Sequence, residues 1–132
     1  MASEFVVLVA DDEPGVRKLA TRIIQAAGYS ALGARDGREA LGMVQAAGPE
    51  LRLVITDIRM PRLRGDQLAR QLATEYPALE VLFMSASPPT GVDLPEGARA
   101  RRWLRKPFTP GTLIALVRGY LEASQAASPD AQ

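Results

Sequence analysis

The stretch Leu53-Val54-Ile55-Thr56-Asp57 decides how this chain is read: an apolar run that breaks on a carboxylate. It reads as a buried strand and delivers Asp57 to the carboxyl edge of a sheet. An earlier run, Phe5 to Ala10, delivers Asp11 and Asp12 in the same way. Bringing three acids together is costly. At a separation of roughly 4 Å and an effective dielectric near 20, each pair repels by about 4 kcal/mol. A site that gathers them takes up protons, a cation, or both.

Outward from these two runs, short apolar segments alternate with helical patterns, the βαβα signature of a parallel sheet covered on both faces. Five strands are expected, at Phe5 to Ala10, Ser30 to Ala34, Leu53 to Thr56, Val81 to Met84 and around Trp103 to Arg105. Val16, Leu19, Ala20, Ile23, Ile24 and Ala27 keep the i, i+3, i+4, i+7 spacing of an amphipathic helix, with Pro14 in its first turn and Gly28 at its end. A second helix runs from about Gly37 to Ala47 behind an Asp36 cap, and a third from about Asp66 to Tyr76, stopped by Pro77. In the last, Thr109 caps, Pro110 takes the first position, and Leu113, Leu116, Val117, Tyr120 and Leu121 share a face. One domain over residues 4–122 is expected, followed by a flexible tail over 123–132.

Between Ser87 and Ala98 five of twelve residues are Pro or Gly, which opposes a regular helix. That segment is expected to be a loop with at most one helical turn. Long internal loops of this kind are often functional.

Composition narrows the chemistry. The chain has no cysteine and no histidine, so disulfides, thiol nucleophiles, imidazole bases and His- or Cys-ligated zinc are all excluded. A formal charge of +1 provides no overall field for nucleic acid or membrane. The start lacks a basic n-region, and Asp11 cuts short the first apolar stretch, so neither signal peptide nor membrane span is expected and the protein reads as cytoplasmic.

In an open parallel α/β sheet, ligands bind outside the carboxyl ends of the strands. That rule places Asp11, Asp12, Asp57, Ser85 and Lys106 on one edge. Taken singly, Asp12 reads as a helix cap, Asp57 and Lys106 as a structural ion pair, and Ser85 as a strand end. Taken together, those readings do not explain three carboxylates around one ammonium. A divalent cation does, and an all-oxygen pocket suits Mg2+, whereas no EF-hand loop for calcium is present.

Four motifs in order now carry a family resemblance: Asp11-Asp12-Glu13, Thr56-Asp57-Ile58-Arg59-Met60-Pro61 with Gly65, Ser85-Ala86, and Lys106-Pro107-Phe108. The chain resembles the receiver domain of two-component response regulators, over about residues 4 to 122. The resemblance implies a flavodoxin-like (CheY-like) three-layer α/β fold. Its five-stranded parallel sheet has the order 2-1-3-4-5, the order found in chemotaxis receivers, and its fourth helix is here shortened or replaced by a loop. It implies that Asp57 accepts a phosphoryl group from a phosphohistidine on a sensor histidine kinase or a histidine phosphotransfer protein. It further implies that Asp12, Asp57 and the backbone carbonyl of Arg59 bind Mg2+, with Asp11 acting through the metal's waters. Lys106 would hold a phosphoryl oxygen, the Lys106-Pro107 bond would be cis, and Ser85 would turn its hydroxyl toward the phosphate.

In that family an aromatic three residues before the lysine moves into space vacated by the hydroxyl; here it is Trp103, which reads equally as a core or surface aromatic with no switching role. Arg59 and Ser87 stand where family side chains influence loss of the phosphoryl group. The order from Val81 to Ser85 followed by a loop resembles receivers of hybrid sensor kinases. The basic run Arg99, Arg101, Arg102, Arg105 and Lys106 reads as a solvated face, and no direct nucleic-acid binding is expected.

Three other classes compete. A phosphorylation-independent binding module of the same fold would have lost an acid or the lysine. A haloacid-dehalogenase-like phosphohydrolase would carry an acid two residues after its nucleophile, where Arg59 stands. An FMN protein would have a phosphate-cradling loop after the first strand, where Asp11 and Asp12 would repel phosphate.

Overall fold

The computed structural model describes residues 5–86 and 103–126, with side chains to residue 122. Five strands form one parallel sheet: β1 (Val6–Ala10), β2 (Ser30–Ala34), β3 (Leu51–Asp57), β4 (Glu80–Ser85) and β5 (Trp103–Arg105). Their order is β2-β1-β3-β4-β5, as the resemblance implied. Among the described residues there are four α-helices, α1 (Pro14–Ala26), α2 (Gly37–Ala47), α3 (Gly65–Glu75) and α4 (Pro110–Ala126), and one 3-10 turn over Gly48–Glu50.

Strand alternation divides the core into two layers. Val7 and Val9, Leu53 and Ile55, Leu82 and Met84, and Leu104 face α1 and α4, where they pack with Ile23, Ile24, Leu113 and Val117. Leu8, Ala10 and Val54 face the other way, onto Ala40 and Val44 of α2 and Leu68 and Leu72 of α3. Both faces are covered, which explains why β1 and β3 are nearly continuous apolar runs.

The helix starts follow local chemistry. Asp36 accepts a hydrogen bond from the Glu39 amide at 2.8 Å, capping α2, and Thr109 Oγ1 accepts from the Thr112 amide at 3.1 Å at the start of α4. Helix α1 has Glu13 at its cap position with no side-chain capping bond, so Asp12 does not serve as the cap. Helix α4 continues to Ala126, four residues past Glu122, where the tail was expected to begin. The expected loop from Ser87 to Ala98, and with it the shortened fourth helix, lies outside the described residues, as do Arg99, Arg101 and Arg102.

Register levels the acids. Ala10 pairs with Thr56, and Asp57 pairs with Met84, which in turn pairs with Leu104. Asp11 therefore follows Val9, Asp57 follows Ile55 and Lys106 follows Leu104, each as the next side chain on the α1/α4 face.

Candidate functional site: an acidic cluster bridged by a lysine

At the carboxyl edge, one ligand oxygen from each of Asp11, Asp12 and Asp57 falls within a span of 4.8 Å. Asp11 is fully buried, Asp57 partly buried and Asp12 exposed. Lys106 reaches back over them, placing Nζ 2.7 Å from Asp11 Oδ2, 3.1 Å from Asp57 Oδ2 and 3.9 Å from Glu13 Oε1. The Lys106-Pro107 peptide is cis.

Two of the three acids are also fixed by backbone. Asp11 Oδ1 accepts from the Glu13 amide at 2.9 Å, and Asp57 Oδ1 accepts from the Ile58 amide at 2.8 Å. Asp11 Oδ2 is different. It meets the Lys106 ammonium at ion-pair distance and has no second partner. A buried carboxylate oxygen in that state leaves a lone-pair direction unsatisfied.

The electrostatics agree with the geometry. Burial pushes the Asp57 carboxyl above its ordinary value and the charge of Asp11 adds to the rise, while Lys106 and the Ile58 amide oppose it. Burial works to pull the Lys106 ammonium down, but its contacts with Asp11 and then Asp57 together outweigh that, and its pKa is raised. One ammonium offsets only one of the three carboxylates. Three carboxylates, one of them with a buried oxygen met only by the ammonium, and net negative charge left over, fit a small hard cation.

The remaining expected residues take separate positions. Ser85 ends β4; its backbone carbonyl accepts from the Lys106 amide at 2.9 Å and from Trp103 Nε1 at 3.1 Å. Trp103 is half-buried beside Phe83, Ala69 and Ile58, with the Arg105 guanidinium 5.9 Å from its ring centroid. Arg59 is exposed on the loop between β3 and α3, and Ser87 lies outside the described residues.

Sequence reading missed one support of the site and assigned no role to another, which it had quoted only as part of a motif. Arg17 Nη1 donates to the Asp11 carbonyl at 2.8 Å, and its stem crosses Gly33, where a Cβ would lie 3.1 Å from Arg17 Cγ. A glycine inside a strand signals such a close approach. Gly65 is the second: a Cβ there would collide with the Asp57 carbonyl oxygen, and its amide donates to the Ile58 carbonyl at 2.8 Å.

A doubly covered parallel sheet of this order, with a lysine-bridged acid cluster at its carboxyl edge, defines a CheY-like signalling domain. The comparisons with known proteins agree. A family model described as "Response regulator receiver domain" matches residues 7–118. The chain is 36% identical over 120 residues to the response regulator MprA of Mycolicibacterium vanbaalenii, covering 87% of this chain and 49% of that protein. It is 32% identical over 124 residues to the sensor kinase CckA of Brucella abortus, covering 92% of this chain and 13% of that protein. Among solved structures, the receiver domain of the hybrid histidine kinase CckA superposes with a TM-score of 0.72 at 32% identity, covering 88% of this chain and 98% of that one. This chain belongs to the response regulator receiver domain family, the signal-receiving module of two-component systems. It spans half or less of the length of the two curated relatives.

Proposed function

We propose that this domain takes a phosphoryl group from a phosphohistidine on a sensor histidine kinase or a histidine phosphotransfer protein onto Asp57, with Mg2+, and changes its output surface in response. The observation that carries this reading is the Lys106 ammonium 3.1 Å from Asp57 Oδ2 inside a three-carboxylate cluster. In the transfer, the P–N bond of the donor breaks and its electron pair returns to the imidazole. An Asp57 carboxylate oxygen then bonds to phosphorus, giving an acyl phosphate. Phosphoryl transfer passes through a loose in-line transition state, so positioning and charge do most of the work.

The Ile58 amide fixes the plane of the Asp57 carboxylate. Lys106 is held charged by Asp11 and Asp57, so it is poised to hold a phosphoryl oxygen by a charge-assisted bond. Asp12, Asp57 and the Arg59 carbonyl would hold Mg2+ directly and Asp11 through water; when bound, the ion supplies positive charge against that of the phosphoryl oxygens. Ser85 would turn its hydroxyl toward the new phosphate. The Trp103 indole is hydrogen-bonded to the Ser85 backbone carbonyl, so a shift of the β4 end at Ser85 would reach the aromatic side chain.

Incubation with a small-molecule phosphodonor and Mg2+, followed by intact mass, tests the proposal. One phosphoryl group is expected on the native chain and none on Asp57→Ala or in EDTA. Equal modification of Asp57→Ala would refute the assignment to Asp57, and a native chain that takes no phosphoryl group would leave a phosphorylation-independent binding module of this fold as the alternative. Among the described residues no helix is long and apolar enough to cross a membrane.

A further inference from the structure

The loop between Asp57 and Gly65 carries Arg59, whose carbonyl is the one proposed metal ligand not supplied by a side chain. At its base the loop is closed by the Gly65 amide bonding the Ile58 carbonyl at 2.8 Å. Its far end is tied to another part of the chain. Arg62 Nη1 donates to Asp36 Oδ2 at 2.8 Å, across 26 residues of sequence. Asp36 is 2% exposed, and its other oxygen caps α2. Beside this pair, Gly37 admits the loop backbone, since a Cβ there would collide with the Leu63 carbonyl oxygen.

Arg62 holds φ at 69°, the left-handed region that favours glycine. A long β-carbon-bearing side chain is disfavoured there, so the contact with Asp36 offsets a backbone preference that runs the other way. The anchor is also fixed in charge: the Glu39 amide holds the Asp36 carboxyl below its ordinary value despite burial, with Arg62 adding to the effect.

We propose that the Asp36–Arg62 pair is a positioning clamp, which uses the cap of α2 to set the metal-binding loop in the conformation that Mg2+ requires. The inference rests on the proposed Mg2+ site. Neither residue touches the ion; both act through the loop backbone.

The test is a magnesium chloride titration of the native chain, Asp36→Asn, Arg62→Gly and the double variant, followed by the backbone amide resonances of Ile58 and Gly65. Asparagine keeps the cap of α2 while removing its charge. Glycine relieves the left-handed backbone while removing the guanidinium. Each single variant is expected to raise the Mg2+ dissociation constant about fivefold, less than the 10- to 100-fold typical of direct partners of metal ligands. The double variant is expected to be no worse than the worse single one. Arg62→Gly should melt no lower than the native chain, which separates positioning from fold stability. Unchanged dissociation constants in both single variants would overturn the clamp, as would losses that multiply in the double variant. A native chain that shows no saturable response defeats the metal site itself, and the clamp with it.

Discussion

Replacing Lys106 with methionine removes the one cation, among the described residues, that faces both Asp11 and Asp57, and the consequence can be worked from the distances. At 2.7 Å and 3.1 Å, with an effective dielectric near 20, the two gross attractions are about 6 and about 5 kcal/mol. Desolvation of the three largely buried groups consumes much of that. Removing one partner of such a cluster nonetheless costs about 3–5 kcal/mol, because the charges left behind are uncompensated. For a chain of this size the melting temperature should fall by on the order of 15 °C.

The loss should depend on pH. Burial and Asp11 already hold the Asp57 pKa above 3.8, and Lys106 is the main restraint on that rise. A raised carboxyl contributes stability that is fully present below its unfolded pKa and lost as pH rises through its folded pKa. Without Lys106 the folded value climbs further, so Lys106→Met should approach native stability in acid and fall furthest behind near neutrality. Mg2+ should recover part of the deficit by restoring positive charge. Urea unfolding of both proteins, with EDTA and with Mg2+ across a pH series, measures all three effects. A loss under about 1 kcal/mol, independent of pH and Mg2+, would refute the electrostatic account.

Asp57→Asn should make the metal-free protein more stable near neutral pH, since it removes a carboxyl that burial and Asp11 disfavour; thermal unfolding should show the gain vanish below the ordinary Asp range. Asp12→Asn, on an exposed side chain, should change metal-free stability by no more than about 0.5 kcal/mol yet weaken the melting shift produced by Mg2+, read in the same assay. Gly65→Ala should cost about 3 kcal/mol by urea unfolding, because the new methyl meets the backbone oxygen of Asp57 and the chain must move.

The sheet and its edge were legible because strand alternation is a local code. Val7, Val9 and Asp11, Leu53, Ile55 and Asp57, and Leu104 and Lys106 place apolar side chains and then charges on one face. Reading the runs alone also shows which edge the charges reach. Residues 51–52 of β3 escaped that reading because the expected strand began only at Leu53, beyond exposed Arg52. The tail expected after Glu122 was read from polar composition, yet helical backbone continues to Ala126; Ala-containing sequence propagates a helix without needing an apolar face.

The supports of the site were least legible. Arg62 and Asp36 are brought together by tertiary folding, and neither carries a local signal that names the other. Arg17 left a faint trace in Gly33, whose missing side chain makes room for it. Gly37 looks like an ordinary helix-start glycine, and Gly65, though quoted with the Asp57 motif, shows its purpose only once the backbone is seen packed against it.

The central claim, that Asp57 is the residue that carries the phosphoryl group, is tested most directly by trapping the product. Borohydride reduces an acyl phosphate to the alcohol, so protein treated with phosphodonor and Mg2+, reduced and then mapped by mass spectrometry should contain homoserine at position 57 and aspartate at positions 11 and 12. Homoserine at another position, or phosphate retained on a peptide that lacks Asp57, would contradict the account.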